Sequence, residues 1–206
     1  MTDAVWVVRH GERRDTADPS WAATAERPHD PPLTELGRWA AWRTGRRFAG
    51  SGPAFDAVYA SPFLRTVETA DELCRELGAT VRLDPGLGEH RNPEWFDAEP
   101  EILPHEELAA RFETVRLGHD PHVDPSFPED GAEASARVGA ATRAVVDEAT
   151  GPVLLVGHGL TVGGVVEGLV GSTEGVDAPL CGVTLVERDG ADWRLAFSGD
   201  TSHLSD

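Results

Sequence analysis

Hydrophobic residues fall along this chain in two patterns, short unbroken runs and longer stretches with helical spacing. Val5 to Val8 is an unbroken run that stops abruptly at Arg9-His10-Gly11, as a buried parallel strand stops at a functional loop. From there to Pro32 there is no helical period and prolines recur, which predicts a long, partly ordered loop. Thr34 offers an N-cap to a helix over about 34–48, with a mostly apolar face of Leu33, Leu36, Trp39, Ala40 and Phe48, ended by Gly50, Gly52 and Pro53. Ala57 to Ala60 reads as a second buried strand. Ser61-Pro62 then opens a helix through Leu64, Val67, Ala70, Leu73 and Leu77, closed by Gly78.

Val81 to Leu83 is a third short strand, which delivers Gly88 and Glu89 to the next loop. Between His90 and Gly131 the pattern weakens under repeated prolines, with one helix expected near Glu106 to Leu117. Long loops over a rigid scaffold commonly carry binding determinants, so residues 90–131 are a candidate lid or insertion. Ala132 to Thr150 predicts a helix, Val153 to Val156 a strand, and Leu160 to Val170 a helix. Val183 to Glu187 and Trp193 to Phe197, separated by Asp189-Gly190, predict a closing hairpin.

Strands alternating with helices specify an α/β fold, here a three-layer α/β/α sandwich with a mostly parallel central sheet and helices on both faces. The 206 residues fit one domain, with 40% hydrophobic residues to fill its core. Ligands of such folds bind beyond the carboxyl ends of the strands. Arg9-His10, Ser61-Pro62 and Gly157-His158 all take such positions, so three separated strand ends can converge on one crevice.

Charge narrows the partners. A formal net charge of -18 repels polyanions, and no basic run exists to track a phosphate backbone, so nucleic acid is not an expected partner. The chain contains no lysine, and its arginines suit phosphate because their planar fork donates two parallel hydrogen bonds. The run from Val153 to Val170 approaches membrane-span length but holds His158, Glu167 and five glycines, so a strand and helix are expected there. Cys74 and Cys181 form no disulfide framework, and the N-terminal stretch reads as neither signal peptide nor anchor, which points to a cytoplasmic protein.

Three motifs carry the chemistry. Val7-Val8-Arg9-His10-Gly11-Glu12-Arg13 resembles the signature of the histidine phosphatase superfamily, also called phosphoglycerate mutase-like. Ser61-Pro62-Phe63-Leu64-Arg65-Thr66-Val67-Glu68-Thr69-Ala70 looks like its second motif and Val156-Gly157-His158-Gly159 like its third, in the family's order, with Glu89 between them. The stretch Arg9 to Asp15, with Pro19-Ser20-Trp21 and Glu26 to Thr34, is similar to the branch containing the phosphatase domain of suppressor-of-T-cell-receptor-signalling proteins. The mutases follow the first motif differently, where Arg13 and Arg14 stand here.

The resemblance implies a phosphomonoesterase whose His10 accepts the phosphoryl group, with Arg9, Arg13, Arg65, His158 and Gly159 binding phosphate and Glu89 donating the proton. The residue types suit that chemistry independently. A phosphate monoester needs a nucleophile, cations around its equatorial oxygens and a proton for the leaving alkoxide. Arg9 is expected to oppose protonation of His10, Gly11 to let backbone approach the phosphate, and the helix following Gly159 to favour an anion. Glu89 must hold a proton to serve as an acid, which implies an optimum below neutral pH for poor leaving groups. Each charged hydrogen bond to phosphate contributes about 1.5 to 3 kcal/mol, so losing one arginine costs roughly ten- to hundredfold in rate.

No cofactor and no metal are expected: His90, His105, His119 and His122 fit neither a helical His-x-x-x-His face nor a zinc framework. Gly157-x-Gly159-x-x-x-Gly163 after a strand suggests a dinucleotide module, but it lacks the later strand and ribose-binding acid that motif requires. A mutase-type phosphotransferase and a non-catalytic phosphate-binding domain on the same fold are rival readings of the three motifs. The expected partner is a small phosphorylated substrate or a phosphopeptide, with no membrane.

Overall fold

The computed structural model describes residues 2–205. Its sheet has seven strands in the order β4-β3-β2-β5-β1-β6-β7. β1 (Ala4–Arg9), β2 (Ala57–Ala60), β3 (Val81–Leu83), β4 (Val115–Arg116) and β5 (Val153–Gly157) run parallel. β6 (Val183–Asp189) and β7 (Asp192–Asp200) close the far edge as an antiparallel hairpin. Between the strands lie α1 (Arg14–Ala17), α2 (Glu35–Ser51), α3 (Leu64–Leu77), α4 (His105–Arg111), α5 (Gly131–Glu148) and α6 (Gly159–Val170).

Alternation along the central strands divides the core in two. Val8, Val58, Ala60, Leu154 and Val156 point to the face covered by α2 and α3, where they meet Phe48, Val67, Leu73 and Cys74. Their neighbours Val5, Val7, Tyr59, Val153 and Leu155 point to the other face and meet Val138, Val145, Val162 and Val166 of α5 and α6. Strands buried on both faces read as solid apolar runs, which is why the sequence shows runs rather than alternation here. The glycines of α6 serve this packing: a Cβ at Gly164 would lie 2.7 Å from Cβ of Val138, and one at Gly168 2.5 Å from Cα of Gly139. The glycines of the dinucleotide pattern are a different set: a Cβ on Gly157 would meet the Thr161 side chain at 2.3–2.6 Å, and one on Gly163 would meet nothing within 4 Å, so neither packs α6 against α5.

Several boundaries differ from expectation. The helix expected to open at Ser61 starts at Leu64, because Ser61 to Phe63 form the turn out of β2. The expected helix near Glu106 to Leu117 ends at Arg111, and Val115 instead adds an edge strand beside Val81. Residues between 90 and 131 thereby contribute Leu103, Leu108 and Val115 to the core. The loop after β1 holds the short α1 and a 3-10 turn at Trp21–Ala23. Among the described residues, no helix is long and apolar enough to cross a membrane.

The tightest backbone packing joins the end of β1 to α2. Thr34 caps α2 by accepting from Gly37 N at 2.9 Å, and its hydroxyl donates to Glu12 Oε2 at 2.7 Å. This brings Gly37 against residues 11 and 12: a Cβ on Gly37 would sit 2.4 Å from the Glu12 carbonyl oxygen, and one on Gly11 2.6 Å from that of Gly37. Both obstacles are backbone, so neither can yield cheaply. Gly37→Ala is therefore expected to destabilise the fold by about 1–3 kcal/mol or more in urea unfolding. Gly50→Ala, in the same helix with nothing within 4 Å of its Cβ, is expected to be neutral or stabilising by up to about 1 kcal/mol.

Candidate active site

His10 follows the last residue of β1 and is almost fully buried. Its backbone N–H donates to the Gly157 carbonyl at 2.9 Å, continuing the pairing of β1 with β5. Its ring Nδ1 lies 2.7 Å from the Gly11 carbonyl oxygen, which can only accept. The proton therefore sits on Nδ1 and the Nε2 lone pair is left for a reacting atom. Burial pulls the His10 imidazole well below its ordinary value, the Arg65 guanidinium adds most to this, and neighbouring His158 adds less. The expectation that Arg9 would do so is thus corrected: the guanidinium acting on His10 comes from the second strand end. Gly11 also serves another purpose than expected, because its N–H donates to Thr69 Oγ1 at 3.1 Å and its missing side chain makes room for Gly37.

Arg65 stands in the first turn of α3. That turn is fixed by Asp30, whose Oδ1 accepts from Leu64 N at 2.7 Å, and by Thr66, whose hydroxyl donates to the Ser61 carbonyl at 2.7 Å. Only 2% of Arg65 is exposed, and its guanidinium lies 4.6 Å from the centre of the Phe63 ring. Nη2 donates to Glu89 Oε2 at 3.3 Å, while Nε and Nη1 are buried with no partner among the described residues. Arg9 repeats the pattern: Nη1 donates to the Ala178 carbonyl at 2.6 Å, and Nε is buried without a partner. Buried donors with no acceptor are costly, and unpartnered guanidinium N–H groups at one strand-end crevice fit an oxyanion.

His158 ends the β5 turn and precedes α6. Its N–H donates to Thr161 Oγ1 at 2.8 Å, and that hydroxyl donates to the Leu87 carbonyl at 2.9 Å. The ring Nε2 is 2.9 Å from Ser61 Oγ, and Nδ1 is 3.2 Å from Glu89 Oε2. Burial pulls His158 down to about 4 against the opposing pull of Glu89, and Arg65 adds to the fall. Burial alone would push the Glu89 carboxyl up, but His158 and Arg65 outweigh it and hold Glu89 well below the usual carboxylate range. At neutral pH the pair is a carboxylate beside a neutral imidazole.

The imidazoles of His10 and His158 meet edge to face, centroids 5.4 Å apart. His10, Arg65, Glu89 and His158 thus come together as the sequence suggested, at the carboxyl ends of the strands. Arg9, Arg13 and Gly159 line the cavity of about 660 Å³ beside them, together with Glu89. A Cβ on Gly159 would touch only the Arg9 guanidinium, at 3.8–3.9 Å, so Arg9 lies along the start of α6. Arg13 is less committed to an anion than expected, for its Nε and Nη2 grip both oxygens of Asp15 at 2.9 and 2.8 Å. Glu12 is structural, holding the α2 cap. His10, Glu89 and His158 each place a ligating atom within 4.8 Å of the others, a spacing that could hold a metal ion. Arg65, 3.3 Å from both Glu89 and His158, opposes a cation there and favours an anion.

A family model, the histidine phosphatase superfamily (branch 1), matches residues 5–201. The chain belongs to this superfamily. It is 28% identical over 209 residues to the human ubiquitin-associated and SH3 domain-containing protein A, covering 82% of this chain and 31% of that protein. It is 32% identical over 144 residues to the ecdysteroid-phosphate phosphatase of Bombyx mori, covering 65% of this chain and 21% of that one. The chain therefore spans less than a third of these relatives' length. The crystal structure of the Bombyx mori ecdysone phosphate phosphatase with tungstate superposes with a TM-score of 0.81 at 24% identity, covering 94% of this chain and 92% of that one. A Bacillus anthracis phosphoglycerate mutase superposes at 0.69 with 20% identity, covering 98% and 95%. The phosphoglycerate mutase-like fold expected from the motifs is thus shown.

Among the residues that the sequence did not single out, Arg137 of α5 matters most. It is buried, and its guanidinium donates to Glu129 through Nε at 2.9 Å and also through Nη2. The same group donates to the carbonyls of Gly86 at 2.8 Å, Gly88 at 3.3 Å and Glu89 at 3.2 Å. It thus fixes the backbone that carries Glu89, from a helix whose sequence reads only as an alanine-rich amphipath. Removing one partner of a buried pair strands the other charge, so Arg137→Leu should lower stability by roughly 3–5 kcal/mol in denaturant unfolding. Unchanged stability would show that Glu129 is solvated without it.

Proposed function

We propose that this chain is a phosphomonoester hydrolase working through a phosphohistidine on His10. The observation that carries this reading is the set of unpartnered, buried N–H groups on Arg9 and Arg65 beside an imidazole whose Nε2 lone pair is free. The guanidinium groups and the start of α6 hold the three equatorial oxygens of the phosphoryl group. The His10 Nε2 lone pair then attacks phosphorus in line, forming the P–N bond as the ester P–O bond breaks. Glu89 delivers its proton to the departing oxygen. Water attacks next, giving its proton to Glu89 as the P–N bond breaks and inorganic phosphate is released.

Without phosphate, Glu89 is ionised because Arg65 and His158 hold its charge. An arriving phosphoryl dianion engages Arg65 and places negative charge beside the carboxylate, both of which raise the proton affinity of Glu89. The acid is thereby charged by substrate binding rather than kept protonated at rest. Support for small phosphoesters or phosphopeptides as substrates comes from the cavity mouth. There His29 packs on Phe96 and His90 on Trp95, with Trp95 more than half exposed. A relative named for an ecdysteroid phosphate fits the same reading, since an apolar or aromatic leaving group would rest against these rings.

His10→Ala is expected to lower hydrolysis of an aryl phosphate by about a thousandfold or more at unchanged stability, and residual activity above that level would contradict the nucleophile. An aryl oxide leaves without a proton, whereas an alkyl oxide needs one. The ratio of alkyl to aryl phosphate turnover should therefore fall steadily from about pH 5 to 8, as the protonated fraction of Glu89 shrinks. A ratio independent of pH would remove Glu89 from the acid role.

A further inference from the structure

Asp84 directly follows β3 and is wholly buried, yet no arginine pairs with it among the described residues. Its Oδ1 accepts from Gly86 N at 2.8 Å, which fixes the carboxylate plane. Its Oδ2 faces two imidazoles, with His119 Nε2 at 3.2 Å and His122 Nδ1 closer still. All three side chains offer a ligating atom within 4.8 Å of one another. Sequence spacing offered no hint of this, because His119-x-x-His122 lies in a loop and its third partner stands 35 residues earlier.

We infer that Asp84, His119 and His122 form a binding site for a zinc-class divalent cation, separate from the His10 site. Two imidazoles and one carboxylate suit zinc, cobalt or nickel rather than magnesium or calcium. Metal–ligand bonds of about 2.0–2.2 Å in tetrahedral geometry place ligand atoms roughly 3.3–3.5 Å apart. The Asp84 to His119 separation already approaches this, the Asp84 to His122 contact opens as the cation replaces the shared proton, and the two imidazole nitrogens, within 4.8 Å of each other, settle to the same spacing. The second observation is at the far side of His122. Its Nε2 is buried with no hydrogen-bond partner, and the Glu148 carboxylate lies 3.3 Å away. With Nδ1 on the metal the ring proton moves to Nε2 and faces Glu148, the carboxylate–histidine–metal arrangement that orients such ligands.

A cavity of about 20 Å³ beside His119, lined also by His105 and Arg116, has room for one water next to the site. Arg116 does not block the cation, since its guanidinium is turned to the carbonyls of Glu113 and Val115 at 2.7 and 3.3 Å. The ion would tie the loop at 119–122 and the end of α5 to the end of β3, just upstream of Glu89. Its role is therefore structural, and it contributes no step to phosphoryl transfer.

The test is titration of chelator-treated protein with Zn²⁺ and with Co²⁺, followed by calorimetry, cobalt absorption and thermal unfolding. Wild type and His10→Ala should each bind one equivalent with the same visible cobalt spectrum, and both should gain thermal stability from Zn²⁺. His119→Ala and His122→Ala should lose that equivalent, and Glu148→Gln, which alters only an exposed carboxylate, should weaken it by about 10- to 100-fold. Absence of binding in wild type, or binding lost in His10→Ala and kept in His119→Ala, would overturn the assignment. If the alanine variants do not fold, affinity unchanged in Glu148→Gln would overturn it equally. None of these readouts depends on catalysis.

Discussion

A single guanidinium, that of Arg65, governs the crevice. It is buried at the start of α3 with Glu89 as its anionic partner, and two of its nitrogens point at no acceptor among the described residues. A cation so placed would ordinarily be expelled or neutralised. Here its field does three things: it adds to the burial that keeps His10 unprotonated, joins His158 in keeping Glu89 ionised until a competitor for the charge arrives, and makes the pocket favour an anion. The rest of the site is arranged to hold this charge still, from the Asp30 cap on α3 to the Ser61–His158 contact.

The scaffold contributes position more than chemistry. Three parallel strands, β1, β2 and β5, end side by side, so the residues following them converge without any long loop having to be ordered. Two packed faces fix the strands from above and below, and the glycine contacts between α2 and residues 11–12 fix the height at which His10 emerges. The cavity mouth is different in kind. It is built from side chains of the segments after β1 and after Glu89, where edge-to-face ring contacts rather than backbone pairing set the shape.

What the sequence revealed follows this division. His10, Arg65 and His158 were legible because each follows an apolar run whose end is marked, and because local motifs travel with the strand-to-helix turn. Thr34 as a cap and Gly78 as a left-handed helix end were legible for the same local reason. Asp30, Asp84 and Arg137 were not, since the groups that give them a role, Leu64, His119 and Gly86, lie 34, 35 and 51 residues away. A lone charged residue in a helix or loop looks solvated. The edge strand at Val115 was hidden too: two residues carry no periodicity, and only the neighbouring Val81 gives them a reason to extend.

Phosphoryl transfer to one imidazole is the central step, and rapid acid-free quenching of the enzyme during turnover of a ³²P-labelled aryl phosphate, whose leaving group needs no proton from Glu89, measures it directly. The label should appear on His10 as an acid-labile, base-stable adduct, at a level that rises when Glu89→Gln slows its hydrolysis. A protein that turns over substrate with no label on His10 in either form would contradict it.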